Sequence, residues 1–384
     1  MNTIPPVDLT RQHKVISQEV EAQVLEVLRS GRYIGGAAVA NFESEFARYT
    51  GTKYSVGCNS GTDALYMALR ALEIGVGDEV ITTPLTFIAT SEVIVRVGAK
   101  PVFVDIDPDT FNFDLEQVAT AITKNTKAII AVHLFGQPID MTALMAIAKS
   151  HNIYVIEDCA QATGASWDNQ KVGSIGDVGC FSFFPTKTLG ACGDGGALTT
   201  NREAIADKIK LLREHGLIRE ISNKVTYRHK LTGLNSRLDT LQATILSIKL
   251  KYLDTWNQQR QQAANNYQQL LQLIPNIKLP SALSGGNSVW NQYTIRIFNQ
   301  STTTDTARDI LRSRLQQKGV IAMIYYPLSL HLQPVYQDLN YQLGSLPNVE
   351  QVAQEVLSLP LFPEITFEEQ QQVVYCLKDC LVDY

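Results

Sequence analysis

The chain has 384 residues and a formal charge of −5, with 45% hydrophobic and 18% charged residues. This is the composition of a globular protein rather than a disordered one, and the length favours two domains over a single core. The mild acidity, without a dense basic stripe, argues against nucleic-acid binding.

Residues 1–13 lack the apolar core of a signal peptide, and no stretch reaches the roughly 18 apolar residues of a membrane span, so the sequence predicts a cytoplasmic protein. From residue 15 to residue 160, helical and strand patterns alternate. The predicted helices cover 15–30, 38–49, 62–72, 87–96, 114–122 and 140–150, and the predicted strands cover 54–57, 79–84, 101–107, 127–136 and 153–160. Short apolar strands between helices indicate an α/β fold with a mostly parallel sheet that is buried on both faces.

The second half of the chain has a different pattern. Residues 236–273 are helical and rich in glutamine, and 292–299 alternate as a strand does. A helix near 305–318, a strand over 320–326 and a terminal helix after Thr366 complete a small α+β unit. We therefore predict a large domain over 1–250 and a small C-terminal α+β domain over 251–384.

The six cysteines are scattered, and their spacing matches neither a zinc site nor a redox CxxC motif. They are interpreted as free thiols, and no metal site is predicted. No GxGxxG motif opens a helix after a strand, which argues against a nicotinamide dehydrogenase.

Ligands of such sheets bind at the carboxyl ends of the strands, which directs attention to the residues there. Ser60, Gly61 and Thr62 follow a strand and open a helix, where free N–H groups and the helix dipole favour a phosphate. The same three residues would also serve as an ordinary helix cap.

Asp158 ends an apolar strand, where a buried carboxylate needs a partner such as a protonated ring nitrogen. Glu157 beside it should face the other side of the sheet. The alternative for Asp158 is a structural acid that caps a helix.

Lys187 lies between an aromatic segment and a glycine-rich one, in FSFFPTKTLGACGDGGA. An apolar setting lowers the pKa of an amine and makes it a better nucleophile toward an aldehyde. Ser182 could bind a phosphate, and Phe87 could stack on a ring, or simply pack in the core. The alternative for Lys187 is a solvated loop lysine. A phosphate site, an acid for a pyridinium nitrogen and a reactive lysine together indicate an enzyme that uses pyridoxal 5′-phosphate.

The chain resembles the DegT/StrS family of sugar aminotransferases, within the fold type I pyridoxal phosphate enzymes. The resemblance runs nearly end to end. The segments that carry it are SGRYIGG, CNSGTDALYMALRAL, GDEVITTPLTFIAT, PVFVDID, VIEDCAQATGA, FSFFPTKTLGACGDGGA, GLNSRLDTLQATIL and PLSLHLQPVY.

The resemblance implies a fold like that of aspartate aminotransferase and a role for each matched residue. Lys187 would form the internal aldimine and move protons, Asp158 would pair with the pyridinium nitrogen, and Gln161 would bind the ring hydroxyl. Phe87 would stack on the ring, while Gly61, Thr62 and Ser182 would hold the phosphate. Asn235 would reach the phosphate of the neighbouring subunit, which implies a homodimer with shared sites. Tyr325, Tyr326 and His331 resemble the region that contacts the sugar.

The implied reaction is a ping-pong transfer from L-glutamate, which leaves as 2-oxoglutarate, to a keto-sugar carried on dTDP or UDP. The form of the lysine segment is similar to that of members that aminate carbon 3, with carbon 4 as the alternative. Ser329 stands where many relatives have proline, and Asn291 stands where many have histidine. Both positions lie near the sugar in the family, so these differences bear on which sugar is bound. A branch with histidine in place of the lysine performs dehydration, whereas lysine is present here. A non-catalytic regulator and pyridoxal chemistry without a sugar remain the other interpretations.

Overall fold

The computed structural model describes residues 3–219, 225–298 and 306–381. The helices are α1 (Leu9–Ser30), α2 (Ala37–Thr50), α3 (Gly61–Ala71), α4 (Ala89–Arg96), α5 (Leu115–Ala121), α6 (Met141–His151), α7 (Glu203–Arg213), α8 (Thr240–Leu250), α9 (Leu253–Leu271), α10 (Ala307–Gln317), α11 (Pro347–Glu355) and α12 (Phe367–Leu381). Short 3₁₀ turns cover Leu134–Gly136, Leu330–Leu332 and Pro334–Leu339. No helix in these ranges is both long and apolar enough to cross a lipid bilayer.

The strands form one large sheet and several small ones. They are β1 (Tyr54–Cys58), β2 (Glu79–Thr82), β3 (Lys100–Phe103), β4 (Thr126–Val132), β5 (Tyr154–Asp158), β6 (Ser166–Trp167), β7 (Gln170–Lys171), β8 (Val178–Ser182), β9 (Gly196–Thr200), β10 (Leu217–Arg219), β11 (Val225–His229), β12 (Ile277–Lys278), β13 (Gly286–Asn287), β14 (Tyr293–Ile297) and β15 (Val356–Leu359).

The large sheet has the strand order β1-β9-β8-β5-β4-β2-β3 within the described residues. Only β9 runs against the other strands of this sheet, because it pairs antiparallel with both β1 and β8. The expected mostly parallel sheet is therefore confirmed. Asp158 at the end of β5 lies in register with Val132 of β4 and Cys180 of β8, so these strands end at one edge.

Helix caps follow from the local sequence. Asp8 accepts hydrogen bonds from the N–H groups of Thr10 and Arg11 at the start of α1, and Asp140 accepts one from Ala143 at the start of α6. Gly31 ends α1 with a φ of 65°, the left-handed conformation that glycine adopts without strain. These caps account for helix boundaries that lie close to the predicted ones.

A separate hydrophobic cluster joins α9, α10 and α12 to the small sheet β12-β14-β15. Tyr267, Tyr293 and Phe362 are fully buried in it. Ile4 from the start of the chain packs into the same cluster, and its N–H donates to the Gly319 carbonyl at 2.8 Å. The division into 1–250 and 251–384 stays a prediction.

One expectation for the second half was wrong. Residues 320–326 are not a strand, because their pairing is limited to isolated bridges, from Val320 to Ile4 and from Met323 to Ser358. The apolar residues of 320–326 line a cavity or pack in the hydrophobic cluster of the small sheet. They do not form the hydrogen-bonded ladder of a strand. The stretch 236–273 is helical as expected, in two helices, α8 and α9, which are separated at Lys251 and Tyr252.

Candidate active site

A cavity of about 450 Å³ opens at the carboxyl ends of β1, β5 and β8. Most of the residues singled out in the sequence line it. These are Gly61, Thr62, Phe87, Asp158, Gln161, Ser182, Lys187 and Tyr325. The strand ends therefore bring together side chains from distant parts of the chain, from Ser60 to Tyr326.

One end of the cavity is the start of α3. Ser60 caps this helix by accepting the Asp63 N–H at 3.1 Å, and among the described residues the N–H groups of Gly61 and Thr62 have no acceptor. A β-carbon on Gly61 would lie 2.7 Å from the Ser182 β-carbon, so only glycine fits there. Two free N–H groups, two serine hydroxyls and the helix dipole form a cradle for an anion of phosphate size.

Asp158 lies deeper in the cavity and is buried. Its Oδ2 accepts the Thr90 hydroxyl at 2.9 Å, and its Oδ1 accepts the Ala160 N–H at 3.1 Å. Burial raises the pKa of this carboxyl, and the two hydrogen bonds together with the Lys187 charge act in the opposite direction. A cationic N–H inside the cavity would be the partner that stabilises its ionised form.

Glu157 faces away from the cavity, as the alternation of β5 predicts. Its two oxygens accept the N–H groups of Gly173, Ile175 and Gly176 at 2.7–2.9 Å, and its Oε2 lies 3.1 Å from His133 Nε2. His133 Nδ1 in turn accepts the Ile139 N–H at 3.2 Å, which makes Nε2 the protonated nitrogen. His133, Glu157 and Cys159 also form a group whose possible metal-binding atoms all lie within 4.8 Å of one another. The Glu157 carboxylate is fully used in hydrogen bonds, which argues against a metal ion there.

Lys187 closes the opposite side of the cavity. Burial lowers the pKa of its amine, and the Asp158 charge partly offsets this. The loop that carries Lys187 is tight. The backbone N–H of Lys187 donates to the Phe184 carbonyl at 2.9 Å, and a β-carbon on Gly190 would lie 2.2 Å from the Pro185 carbonyl oxygen. A partly buried amine on a fixed loop is suited to condense with an aldehyde.

Gln161 and two aromatic rings complete the walls. The Phe135 N–H donates to Gln161 Oε1 at 2.7 Å, and Gln161 Nε2 donates to the Tyr326 hydroxyl at 3.3 Å. The Phe87 side chain is 57% exposed, so it does not pack in the core, and its ring lies 6.3 Å from that of Tyr326. The Phe87 ring is thus available to a flat ligand.

Two predicted residues lie outside the cavity. His331 is buried, and its Nε2 lies 3.0 Å from Glu350 Oε1, so its ring faces the Glu350 carboxylate rather than the cavity. Ser329 near it is also buried. Asn235 is exposed and does not line the cavity of its own chain.

The structure adds residues that the sequence analysis missed. Thr90, Asp194 and Gln292 line the cavity as well. Thr90 lies three residues after Phe87, a helical spacing that could have indicated a shared face. No comparable signal marks Gln292, which comes from a distant part of the chain.

The cavity fits a phosphorylated pyridine aldehyde. The anion cradle at Gly61 and Thr62, the buried Asp158 carboxylate and the Lys187 amine face one space of about 450 Å³. These groups match the phosphate, the ring nitrogen and the aldehyde of pyridoxal 5′-phosphate.

Comparisons with known proteins agree with this chemistry. The model of the DegT/DnrJ/EryC1/StrS aminotransferase family matches residues 14–378. A pleiotropic regulatory protein of Geobacillus stearothermophilus is 47% identical over 97% of this chain and 96% of its own length. The UDP-N-acetyl-3-dehydro-alpha-D-glucosamine 3-aminotransferase of Acidithiobacillus ferrooxidans is 42% identical over 98% of both chains. The crystal structure of DesV from S. venezuelae in complex with a ketimine intermediate superposes with a TM-score of 0.93, at 39% identity, over 99% of this chain and 98% of that one.

Proposed function

Because the chain belongs to the DegT/DnrJ/EryC1/StrS aminotransferase family, we propose that it transfers an amino group from L-glutamate to carbon 3 of a keto-sugar linked to dTDP or UDP. Aminotransferases of this family use pyridoxal 5′-phosphate. The fold is the expected type I fold of these enzymes. The observation that carries the proposal is that Lys187, Asp158 and the α3 cradle face one cavity.

Bound pyridoxal phosphate supplies an aldehyde that condenses with amines and a ring that accepts electrons when a C–H bond breaks. Gly61, Thr62 and Ser182 would anchor its phosphate, and Asp158 would keep its ring nitrogen protonated. Gln161 would bind the ring hydroxyl, and Phe87 would stack on the ring face.

Lys187 would hold the cofactor and then move protons. With the cofactor bound, the free Lys187 amine would take up the proton of the substrate carbon and release it again, and the lowered pKa favours its neutral, basic form. Tyr325 lines the cavity and would contact the sugar. His331 would act only through the segment it supports, because it does not line the cavity.

The site also supports a shared dimer. Asn235 is exposed, as a residue that serves a neighbouring subunit must be. Near it in the fold, the Tyr33 carbonyl accepts the Thr240 N–H, and Tyr33 and Ile34 are about half exposed, an apolar surface that a second copy would cover. A two-fold dimer that places Asn235 at the partner's phosphate cradle is therefore proposed.

The experiment is a pair of lysine variants. Purified Lys187→Ala should lack the visible absorbance of bound pyridoxal phosphate and lose at least about a thousandfold in turnover with glutamate and a keto-sugar. Lys171→Ala removes a partly buried lysine that does not line the cavity, and it should keep both properties. Lys187→Ala protein with normal absorbance and turnover would refute the assignment.

A regulatory role is the second candidate, because the relative at 47% identity bears the name of a regulatory protein. The complete set of Lys187, Asp158 and Gln161 around the cavity favours the enzyme. Wild-type protein that stays colourless with added cofactor, and yields no 2-oxoglutarate from glutamate, would favour the regulator.

A further inference from the structure

We propose that helix α8 holds the loop that carries Lys187 in place for its reaction with the cofactor, with Lys249 and Gln242 as positioning residues. This inference rests on the proposed function, and it concerns two side chains that do not line the cavity. The loop follows β8 and runs from Phe183 to Cys192.

The loop is closed at its base by its own backbone. The Ala191 N–H donates to the Phe183 carbonyl at 2.7 Å, and the Lys187 N–H donates to the Phe184 carbonyl at 2.9 Å. The Gly190 carbonyl, shortly after Lys187, accepts no backbone hydrogen bond among the described residues. The position of this end of the loop therefore depends on contacts with the rest of the protein.

Lys249 supplies such a contact from α8. It is only 6% exposed, and its Nζ donates to the Gly190 carbonyl at 2.7 Å. Within the described residues, this carbonyl is the only hydrogen-bond acceptor of the amine. Burial lowers the pKa of the Lys249 amine, while the charges of Cys192 and Glu364 act in the opposite direction. A buried amine with one neutral acceptor contributes little to stability, because it has lost its hydration. Its effect is to fix the Gly190 carbonyl against the helix.

Gln242 holds the next part of the loop from the same helix. Its Oε1 accepts the Cys192 N–H at 2.8 Å. Gln242 and Lys249 are seven residues apart, so two helical turns place their side chains on one face of α8. The helix therefore binds a carbonyl and an N–H of the loop, two residues apart.

Apolar packing joins the same loop to the same helix. Leu189 and Ala191 are buried in the hydrophobic cluster that contains Ala243 and Leu246 of α8. An error of about 1 Å in the position of a reacting group can reduce a rate about a hundredfold. Anchoring the residues directly after Lys187 thus bears on how well its amine meets the cofactor.

The test compares two forms of the cofactor on the full-length protein after its own cofactor has been removed. Pyridoxal phosphate condenses with Lys187, whereas pyridoxamine phosphate carries an amine in place of the aldehyde and cannot condense. Both forms would use the phosphate cradle and Asp158. A displaced Lys187 therefore weakens binding of the aldehyde form alone, whereas a general disturbance of the cavity weakens binding of both.

Lys249→Met keeps the length of the side chain and removes its amine. We expect its affinity for pyridoxal phosphate, measured by equilibrium dialysis, to fall about tenfold, while its affinity for pyridoxamine phosphate stays within about twofold of wild type. Lys249→Arg keeps a donor and should bind both forms as the wild type does. Gln242→Leu should show the same selective loss for the aldehyde form, of about fivefold.

Lys251→Met is the matched control. Lys251 lies at the end of α8, is exposed and pairs with Glu19 at 2.6 Å, so its loss should leave the binding of both forms unchanged. Unchanged affinity of Lys249→Met for pyridoxal phosphate would overturn the inference. Equal losses for the two forms would overturn it as well, because they would show only general support of the cavity.

Neither glutamate nor a sugar enters this test. Wild-type protein that binds both cofactor forms and aminates no keto-sugar would therefore contradict the proposed function alone. Wild-type protein that binds neither form would count against both.

Discussion

At the Asp158 carboxylate, burial and hydrogen bonding act in opposite directions. Burial raises its pKa, while the Thr90 hydroxyl and the Ala160 N–H stabilise the ionised form. An ion pair to the cofactor's ring nitrogen requires that ionised form. The Thr90 hydroxyl should therefore matter for cofactor retention through its hydrogen bond to Asp158.

Replacing Thr90 by valine tests this role. Without the hydroxyl, the pKa of Asp158 rises further, so its charge is lost at a higher pH as the solution is acidified. We expect cofactor affinity to fall about tenfold, the effect of about 1.4 kcal/mol from a hydrogen bond to a charged group. Release of the cofactor on acidification should also begin at higher pH. Absorbance titrations against pH measure both.

Thr90→Ser is the matched control, because it keeps the hydroxyl and should retain affinity and pH profile close to wild type. If Thr90→Val and Thr90→Ser titrate alike, the hydroxyl does not control the ionisation of Asp158.

Individual cavity residues could be predicted from the sequence where a strand end placed them. Asp158 and Gly61 follow apolar strands, so their positions at one sheet edge follow from the strand pattern. The surroundings of His331 could not be predicted, because its partner Glu350 lies on a helix, α11, that the sequence pattern did not indicate. Gln292 gave no local signal, since its place depends on two distant segments meeting at Gly136.

Among the elements, the connection after β4 supports a distant part of the cavity wall. It docks the segment 288–292 through the carbonyls of Phe135 and Gly136. Both residues have positive φ, at 58° and 92°. Phe135 also fixes Gln161 through its N–H, so one short turn supports both Gln161 and Gln292, which line the cavity.

Gly136→Ala is expected to weaken this docking. The new β-carbon would meet the Asn291 and Trp290 nitrogens at 2.9 and 3.0 Å in a backbone conformation that alanine rarely adopts. We expect the free energy of unfolding to fall by about 2–3 kcal/mol, from strain and from the displaced segment. Urea unfolding monitored by circular dichroism measures this loss.

Gly77→Ala separates the loss caused by backbone strain from the loss caused by displacing the segment 288–292. Gly77 has a φ of +91°, but no atom lies within 4 Å of its added β-carbon. It should therefore lose only about 1 kcal/mol, from backbone strain alone. Equal losses for the two alanine variants would mean that the close approach to 288–292 contributes nothing to stability.

The elements of the first 160 residues were predictable because each is short and either apolar or amphipathic, and several helices begin at a capping side chain. β8 and β9 were not identified as strands, since the cavity loop interrupts the pattern between them. Residues 320–326 have a strand-like run of apolar side chains, yet those residues face a cavity and a cluster. Periodicity reports burial, and it cannot distinguish burial against a sheet from burial against loops.

At the scale of the whole molecule, Asn235 lies outside the cavity of its own chain, and the sequence alone gave no geometric reason for the role that the resemblance implies for it. In the proposed dimer, Asn235 would reach the cofactor site of another copy. Such an assembly would depend on surfaces that meet only in the dimer, so neither strand patterns nor caps could predict it.

Mixing two inactive variants tests the shared dimer. In a heterodimer of Lys187→Ala and Asn235→Ala chains, one site carries both substitutions and the other carries neither. If subunits exchange freely, half of the dimers are mixed, and about a quarter of the wild-type activity should return. Activity assays before and after the two proteins are unfolded and refolded together measure the recovery.

Refolding each variant alone is the control, and it should give no recovery. If the mixture stays inactive while gel filtration shows dimers, Asn235 serves the site of its own chain.

The segment 4–7 belongs structurally to the far end of the chain. Ile4 exchanges hydrogen bonds with Gly319 and Ile321. Pro6 and Val7 line a cavity of about 140 Å³ that shares Thr186 and Tyr325 with the active-site cavity. An affinity handle fused ahead of these residues, or a protease cut just after them, would therefore act on the edge of the active site while cofactor colour stayed normal. Kinetic constants for this enzyme are best measured on protein whose handle is carried at the other terminus.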